Sequence, residues 1–243
     1  MGAVVSNPAV SQRELWNRQH CERAVNVEDC DLPTQFGKRV ASLLCPPDRL
    51  LEFGCAAGRD TLHFATVARS VLGCDFSESA LTILMSSATR KGLADRVQVK
   101  CYDLNEQFRN DTGEPFSVVY TRCSLHVDDE TARRLIADIS VNLVPGGLLC
   151  AEVKSVTDPL FGLGDEVFRN GFVLPDTQGR GHLRRFWSVE ELSMLMKDHF
   201  RIVASGTTTE FHLGKETHLV HVIAVLRPFA AAPTGHSASE NVL

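Results

Sequence analysis

Apolar residues come in short blocks along this chain, and the blocks alternate between two kinds. "RLLEFG", "SVLGCDF", "RVQVKCYDL", "FSVVYTRC" and "LLCAEVKS" are compact runs of strand length, bounded by turn residues. Between them lie stretches with helical spacing: Arg59 to Arg69, a helix opened by Ser77 and running to Lys91, and "ETARRLIADISVNL". "PGG" makes a turn before the fifth strand. Short buried strands alternating with helices describe parallel βαβ units covered by helices on both faces.

Two helices are predicted ahead of this core. One covers about Gln12 to Arg23 with Leu15 and Trp16. The other covers Pro33 to Leu44, and "CPPD" ends it because proline cannot continue the ladder. Behind the core, Asp158 to Phe186 loses all periodicity and is rich in glycine, which in a compact domain points to a functional or mobile segment. Ser188 and Glu191 then form a capping box for a helix to about His199. "FRIVASGTT" and "THLVHVIAVLR" follow, joined by the short link "EFHLGKE", which favours an antiparallel pair. A single domain over 13–227 is expected, with a helical cap at about 13–45 and an insertion at about 157–187. Segments 1–12 and 228–243 are expected to be disordered.

Composition narrows the function. The chain has 243 residues, 44% of them hydrophobic, and a net charge of −5. A protein that grips nucleic acid needs a basic surface, so no nucleic-acid partner is expected. The eight cysteines are scattered singly within apolar runs and read as core residues of a reducing compartment; neither a disulfide framework nor a metal site is expected. No apolar run approaches the roughly 20 residues of a membrane span. "MGAVVS" fits a myristoylation pattern through Gly2 and Ser6, with no polybasic stretch to make the anchor stable. A cytoplasmic monomer or homodimer without a membrane partner is expected.

The chemistry starts at "LLEFGCAAGRDTLHFA". A strand ends in Glu52 and passes into Gly54-Cys55-Ala56-Ala57-Gly58, at the carboxyl edge where open α/β sheets bind ligands. A dinucleotide fingerprint needs glycine at 54, 56 and 59, where this chain has Ala56 and Arg59; the P-loop spacing fails as well. An acid followed by Gly54 and Gly58 instead resembles motif I of the class I S-adenosylmethionine (SAM) dependent methyltransferases, with alanine at the middle glycine. The resemblance extends over about residues 45 to 155. "VLGCDFS" places Asp75 at the end of strand two, "CYDLNE" places Asp103 and Leu104 at the end of strand three, "YTRCSLHVDDE" follows strand four, and "NLVPGGLLCAEV" leads into strand five.

The resemblance implies a Rossmann-like, seven-stranded, mostly parallel sheet with a C-terminal antiparallel pair, SAM as cofactor and S-adenosylhomocysteine as product. It implies that Glu52 reaches the methionine amino group and that Asp75 takes the ribose hydroxyls. Asp103 would hold the adenine amino group while Leu104 packs on the ring. Gly54, Ala56, Gly58, Phe76 and Thr121 complete the expected cofactor site. Ala56 adds one methyl where the methionine part passes, and narrows that path if its φ is negative.

Histidine is the usual base where a hydroxyl or protonated amine must lose a proton, and His126 follows strand four at the catalytic edge. His126 and Tyr120 are therefore the candidate catalytic residues. Trp16, Arg122, Lys154, His182 and Arg185 are candidates for the substrate side, the last two within the basic run "GRGHLRRF" together with Arg184. Arg122 or Lys154 either holds an anionic substrate or is solvated. "TRCS" replaces the D/N-P-P-Y/F type motif, which disfavours base and glutamine amino-group acceptors. A small metabolite, methylated on O or N and possibly S, is the expected acceptor. A protein or RNA substrate and a non-catalytic partner subunit are the alternatives; a nicotinamide dehydrogenase is opposed by the glycine spacing.

Overall fold

The computed structural model describes residues 11–24, 32–175, 181–212 and 215–228. In chain order the elements are α1 (Gln12–Ala24), α2 (Gln35–Ala41), β1 (Arg49–Phe53), α3 (Arg59–Phe64), β2 (Ser70–Asp75), α4 (Glu78–Arg90), β3 (Val97–Cys101) and β4 (Phe116–Arg122). Then come α5 (Asp129–Asn142), β5 (Leu143–Lys154), β6 (Asp165–Phe168), β7 (Gly171–Val173), β8 (Leu183–Arg185), α6 (Val189–Met196), β9 (Phe200–His212) and β10 (Lys215–Leu226).

Seven strands form one sheet in the order β3-β2-β1-β4-β5-β10-β9. The first five pair in parallel, and β10 pairs antiparallel with β5 and β9. Alternation of side chains sends successive residues to opposite faces. Leu51, Phe53 and Val119 pack under α5 and α6 with Leu135, Ile136 and Leu192. Leu50, Val71 and Tyr120 pack under α2, α3 and α4 with Phe36, Phe64 and Leu84. The expected fold class is the observed one.

Caps set the helix starts that matter for the site. Ser77 accepts from Ala80 N–H at the head of α4, Asp128 from Thr131 N–H at the head of α5, and Ser188 with Glu191 completes the capping box of α6. The predicted 59–69 helix stops at Phe64 and continues as turns. The predicted "PGG" turn is absorbed into β5, where Gly146 takes a φ of 76° and the ladder to β4 shifts register.

The segment read as irregular instead holds a second, three-stranded antiparallel sheet, β6-β7-β8. Its strands are three or four residues long, too short to show a period of two. Phe172, Leu174 and Phe186 give it a small core of its own. Trp187 N–H bonds the Lys154 carbonyl at 2.8 Å and fastens this sheet to the end of β5. The expected disorder at 1–10 and 229–243 and the Gly2–Ser6 pattern lie outside the described residues. Among the described residues no helix is long and apolar enough to cross a membrane, and no cluster of His, Cys, Asp and Glu is placed to hold a metal.

Candidate active site

β1 delivers the chain to its carboxyl edge at Phe53, and the next five residues turn it into α3. Three of them take left-handed backbone: Gly54 at φ 72°, Ala56 at 50° and Gly58 at 88°. A Cβ on Gly54 would lie 2.3 Å from Ser124 Cβ, and one on Gly58 would lie 2.1 Å from Leu84 Cδ1. These glycines let β1 nest against the β4 loop and against α4. Ala56 does not narrow the path through a negative φ; it bears the strain of a left-handed conformation that glycine adopts freely.

The loop is fixed by Asp75 at the end of β2. Its Oδ2 accepts the Ala56 N–H at 2.9 Å and its Oδ1 the Ser77 N–H at 2.9 Å. Burial raises its pKa, and the backbone donors oppose that shift. A carboxylate has about four lone-pair sites, so two backbone bonds leave room for two ligand hydroxyls. Glu52 is buried at 4% exposure and accepts from Thr61 Oγ1 at 2.6 Å. Its pKa is pushed up to about 8, chiefly by desolvation and then by Asp60. A buried acid of this kind, reached here by a hydroxyl and by other acids, fits a ligand cation.

Asp103 lies just past β3, its Oδ1 accepting from Asn105 N–H at 3.0 Å and its Oδ2 3.8 Å from Arg13 of α1. Arg13 also stands 6.0 Å from the Phe76 ring. Leu104 packs partly buried against the core, and its carbonyl accepts from Arg134. Thr121 closes β4 through a short hydroxyl contact with Ser124, whose Oγ also donates to the Phe53 carbonyl at 3.1 Å. The expected cofactor residues thus gather along one edge, at the ends of β1, β2, β3 and β4.

α1 crosses this edge. In its middle Asn17 Oδ1 accepts from Ser77 Oγ at 2.6 Å. At its start the Gln12 amide donates to Gly181 O at 2.9 Å and accepts from Leu183 N–H at 2.9 Å, as a strand would. Trp16 meets the His182 ring edge-on at 4.6 Å, and the Arg184 guanidinium lies 4.4 Å from the Trp16 ring. Open clefts of about 300 Å³ beside Asp128 and Phe168, and about 110 Å³ beside Phe36 and His221, lie outside this edge.

Several expected acceptor-side residues have other work. Tyr120 is fully buried and donates to Asp60 Oδ2 at 2.7 Å, so its expected catalytic role is corrected to a core role. Arg122 is engaged by acids: it donates to Glu152 and Glu210, each at 2.6 Å. Lys154 is paired with Asp158 at 2.9 Å. Arg185, 2% exposed, donates to Val127 O at 2.6 Å, pairs with Asp129 and stacks 3.7 Å from the Trp187 ring. His126 Nδ1 accepts the Arg185 N–H at 3.1 Å, and Nε2 lies 3.3 Å from Arg184 Nη1. Since a backbone N–H only donates, Nδ1 carries the lone pair and Nε2 the proton. Burial and then Arg184 and Lys154 hold the ring neutral, well below the usual histidine range. Its lone pair is already engaged, which the sequence reading of a base did not foresee.

The sequence reading missed Asp60. It accepts from Thr34 N–H and Thr34 Oγ1, both at 2.8 Å, as well as from Tyr120, and so pins the start of α2 to β4. Thr34 as the cap of α2 was the available signal.

Residues 50–147 match the family profile of a methyltransferase domain. The fold is similar to that of solved SAM-dependent methyltransferases. The fold is that of the class I SAM-dependent methyltransferases, and residues 50–147 are similar to a methyltransferase domain. A SAM-dependent methyltransferase from Methanosarcina mazei superposes with a TM-score of 0.63 at 18% identity, covering 78% of this chain and 97% of its own. The N-methyltransferase NodS of Bradyrhizobium japonicum, in complex with S-adenosyl-L-homocysteine, gives 0.63 at 16%, covering 90% and 100%. The [4+2]-cyclase SpnF gives 0.65 at 18%, covering 90% and 98%. In sequence, a 61-residue stretch is 41% identical to the 23S rRNA (uracil(1939)-C(5))-methyltransferase RlmD of Cupriavidus pinatubonensis. That stretch is 25% of this chain and spans only 13% of RlmD. The cofactor of such a fold is SAM, and the edge described above fits it: acids for a cation and hydroxyls, and glycine-shaped backbone between them.

Proposed function

We propose that this methyltransferase acts in the cytoplasm on an O or N atom, or an S atom, of a small-molecule acceptor. The observation that carries the reading is α1, bound across the strand edge by Gln12 at its start and Asn17 in its middle. An acceptor has to fit between this helix, β8 and the loop after β4. A folded RNA or protein would have to displace the helix, which favours a metabolite. The net charge of −5 also opposes a phosphate-rich partner.

SAM, when bound, supplies an electrophilic methyl group on its sulfonium. Glu52 would hold its ammonium, Asp75 its ribose hydroxyls, and Asp103 with Leu104 its adenine. Gly54, Ala56 and Gly58 bring backbone close to the methionine part, with Phe76 and Thr121 beside it. The chain contributes alignment of the acceptor with the methyl group and exclusion of water, the largest available terms for such a transfer. The match to RlmD covers too little of that enzyme to bring its acceptor with it.

Two measurements test the reading. Calorimetry with SAM, S-adenosylhomocysteine and NAD should show binding of the first two; NAD binding alone would overturn the cofactor. Methyl-labelled SAM, incubated with the protein and fractionated cell extract, should label molecules below about 1 kDa. Label confined to RNA or protein would replace the small-molecule acceptor.

A further inference from the structure

Arg13 of α1 reaches two residues assigned to the base end of the cofactor, on two different strand ends. Its Nη2 lies 3.8 Å from Asp103 Oδ2 beyond β3, and its guanidinium carbon stands over the Phe76 ring beyond β2 at 6.0 Å. β2 and β3 are neighbours, with Asp75 in register with Cys101, so Phe76 and Asp103 leave the sheet side by side. Asp103 Oδ1 accepts from the Asn105 N–H at 3.0 Å and from its Nδ2 at 2.8 Å. The Arg13 contact on Oδ2 is an ion pair too long for a hydrogen bond, so Oδ2 can still accept from an amino group.

The floor of this place is fixed, and its cover has room to move. Arg134 Nη2 donates to Leu104 O at 2.7 Å and to Glu106 O at 3.2 Å, and Tyr102 Oη donates to Glu106 O at 2.8 Å. The backbone of α1 is fastened beside Phe76, where Ser77 Oγ donates to Asn17 Oδ1 at 2.6 Å. The Arg13 side chain is 44% exposed. A flat base between the guanidinium and Phe76 needs roughly 7 Å, two stacking contacts of about 3.5 Å each. The 6.0 Å present falls short of that by about 1 Å, within the swing of an exposed arginine. A planar guanidinium suits the place better than an ammonium, because it stacks on a π face while its edge stays turned to a carboxylate.

We propose that Arg13 is a cofactor-binding residue: its guanidinium stacks on the adenine of SAM, opposite Phe76, while it pairs with Asp103. The assignment rests on the SAM reading above. It gives α1 a part in recognising the base in addition to covering the edge, so the helix closes more firmly on an adenine-bearing cofactor than on the free protein.

The test uses the full chain with ¹⁵N-labelled arginine and S-adenosylhomocysteine, and Arg13→Lys assigns the Arg13 Nε–H. With the ligand saturating by calorimetry, that proton should move upfield, since it would lie over the face of a ring. An unmoved Arg13 signal at saturation overturns the proposal. Arg13→Ala should weaken S-adenosylhomocysteine about threefold or more, and a smaller loss overturns it. Adenosine should lose affinity by a similar factor, because the base is what Arg13 touches; full adenosine affinity in Arg13→Ala overturns the stack. The wild-type shift decides even if Arg13→Ala fails to fold. A wild-type chain that binds neither SAM nor S-adenosylhomocysteine would overturn the methyltransferase reading and this assignment together. Binding with Arg13 unmoved would overturn the assignment alone.

Discussion

The Ala56 amide donates to Asp75 Oδ2 at 2.9 Å from a residue whose φ is +50°. The acid assigned to the ribose therefore also holds the strained residue of the cofactor loop. Left-handed backbone costs an L-residue about 1–2 kcal/mol, while glycine adds roughly 0.4–1 kcal/mol of unfolded-state entropy. Ala56→Gly should thus stabilise the protein by about 0.5–1 kcal/mol and raise Tm by a few degrees in thermal melts. Ala56→Val should lower it.

Gly54 and Ser124 form a lock between the loop after β1 and the loop after β4. Gly54→Ala should destabilise by about 2 kcal/mol or more, from the clash at 2.3 Å combined with φ 72°. Adding Ser124→Gly removes the clashing Cβ and should recover part of that loss in a double-mutant cycle by chemical denaturation.

Glu52 makes the stability of the fold pH-sensitive. Its pKa is about 8 in the fold, above its ordinary value, so between about pH 4.5 and 8 the folded state binds a proton that the unfolded state has lost. Stability therefore falls as pH rises through that window, with a slope of at most about 1.4 kcal/mol per pH unit. Glu52→Gln should flatten the slope. A cation held at Glu52 favours its ionised form, so SAM binding near pH 7 should release a proton. Calorimetry in buffers of different ionisation enthalpy reads that proton, and its absence would remove the ammonium from Glu52.

Tyr120→Phe separates the core role from a catalytic one. Losing the bond to the buried Asp60 should cost about 1–3 kcal/mol of stability, while turnover of the folded enzyme stays within about twofold. A large loss of kcat with little loss of stability would return Tyr120 to the chemistry.

The crossing helix should control exchange. Gln12→Ala removes both bonds to the β8 region and should speed release of S-adenosylhomocysteine by several-fold in stopped-flow displacement, with equilibrium stability lowered by about 1 kcal/mol. An unchanged release rate would mean that α1 stays closed without Gln12.

The large sheet was legible because its strands are long apolar runs separated by capped helices, and because Glu52, Asp75 and Asp103 end successive strands. The β6-β7-β8 sheet was not, since three-residue strands have no period to read. The acceptor side failed for a different reason. Sequence position placed Tyr120, Arg122 and Lys154 near the right edge, but it cannot show that each is met there by Asp60, Glu152 or Asp158. Partnering between distant acids and bases is a property of packing. His126 was found by position and its engaged lone pair only by geometry.

The Gln12 amide borrows its partners from residues about 170 positions further along. An isolated helix of 13 residues is marginal in water; α4 offers α1 its first hold through Ser77 and Asn17, and the start of α1 is fastened only when the β8 partners exist. At ribosomal rates of about 5–20 residues per second, the first helix emerges roughly 10–30 seconds before the strand that receives it. The Gln12 end of the cover over the cofactor edge is consequently fastened only late in the synthesis of the chain.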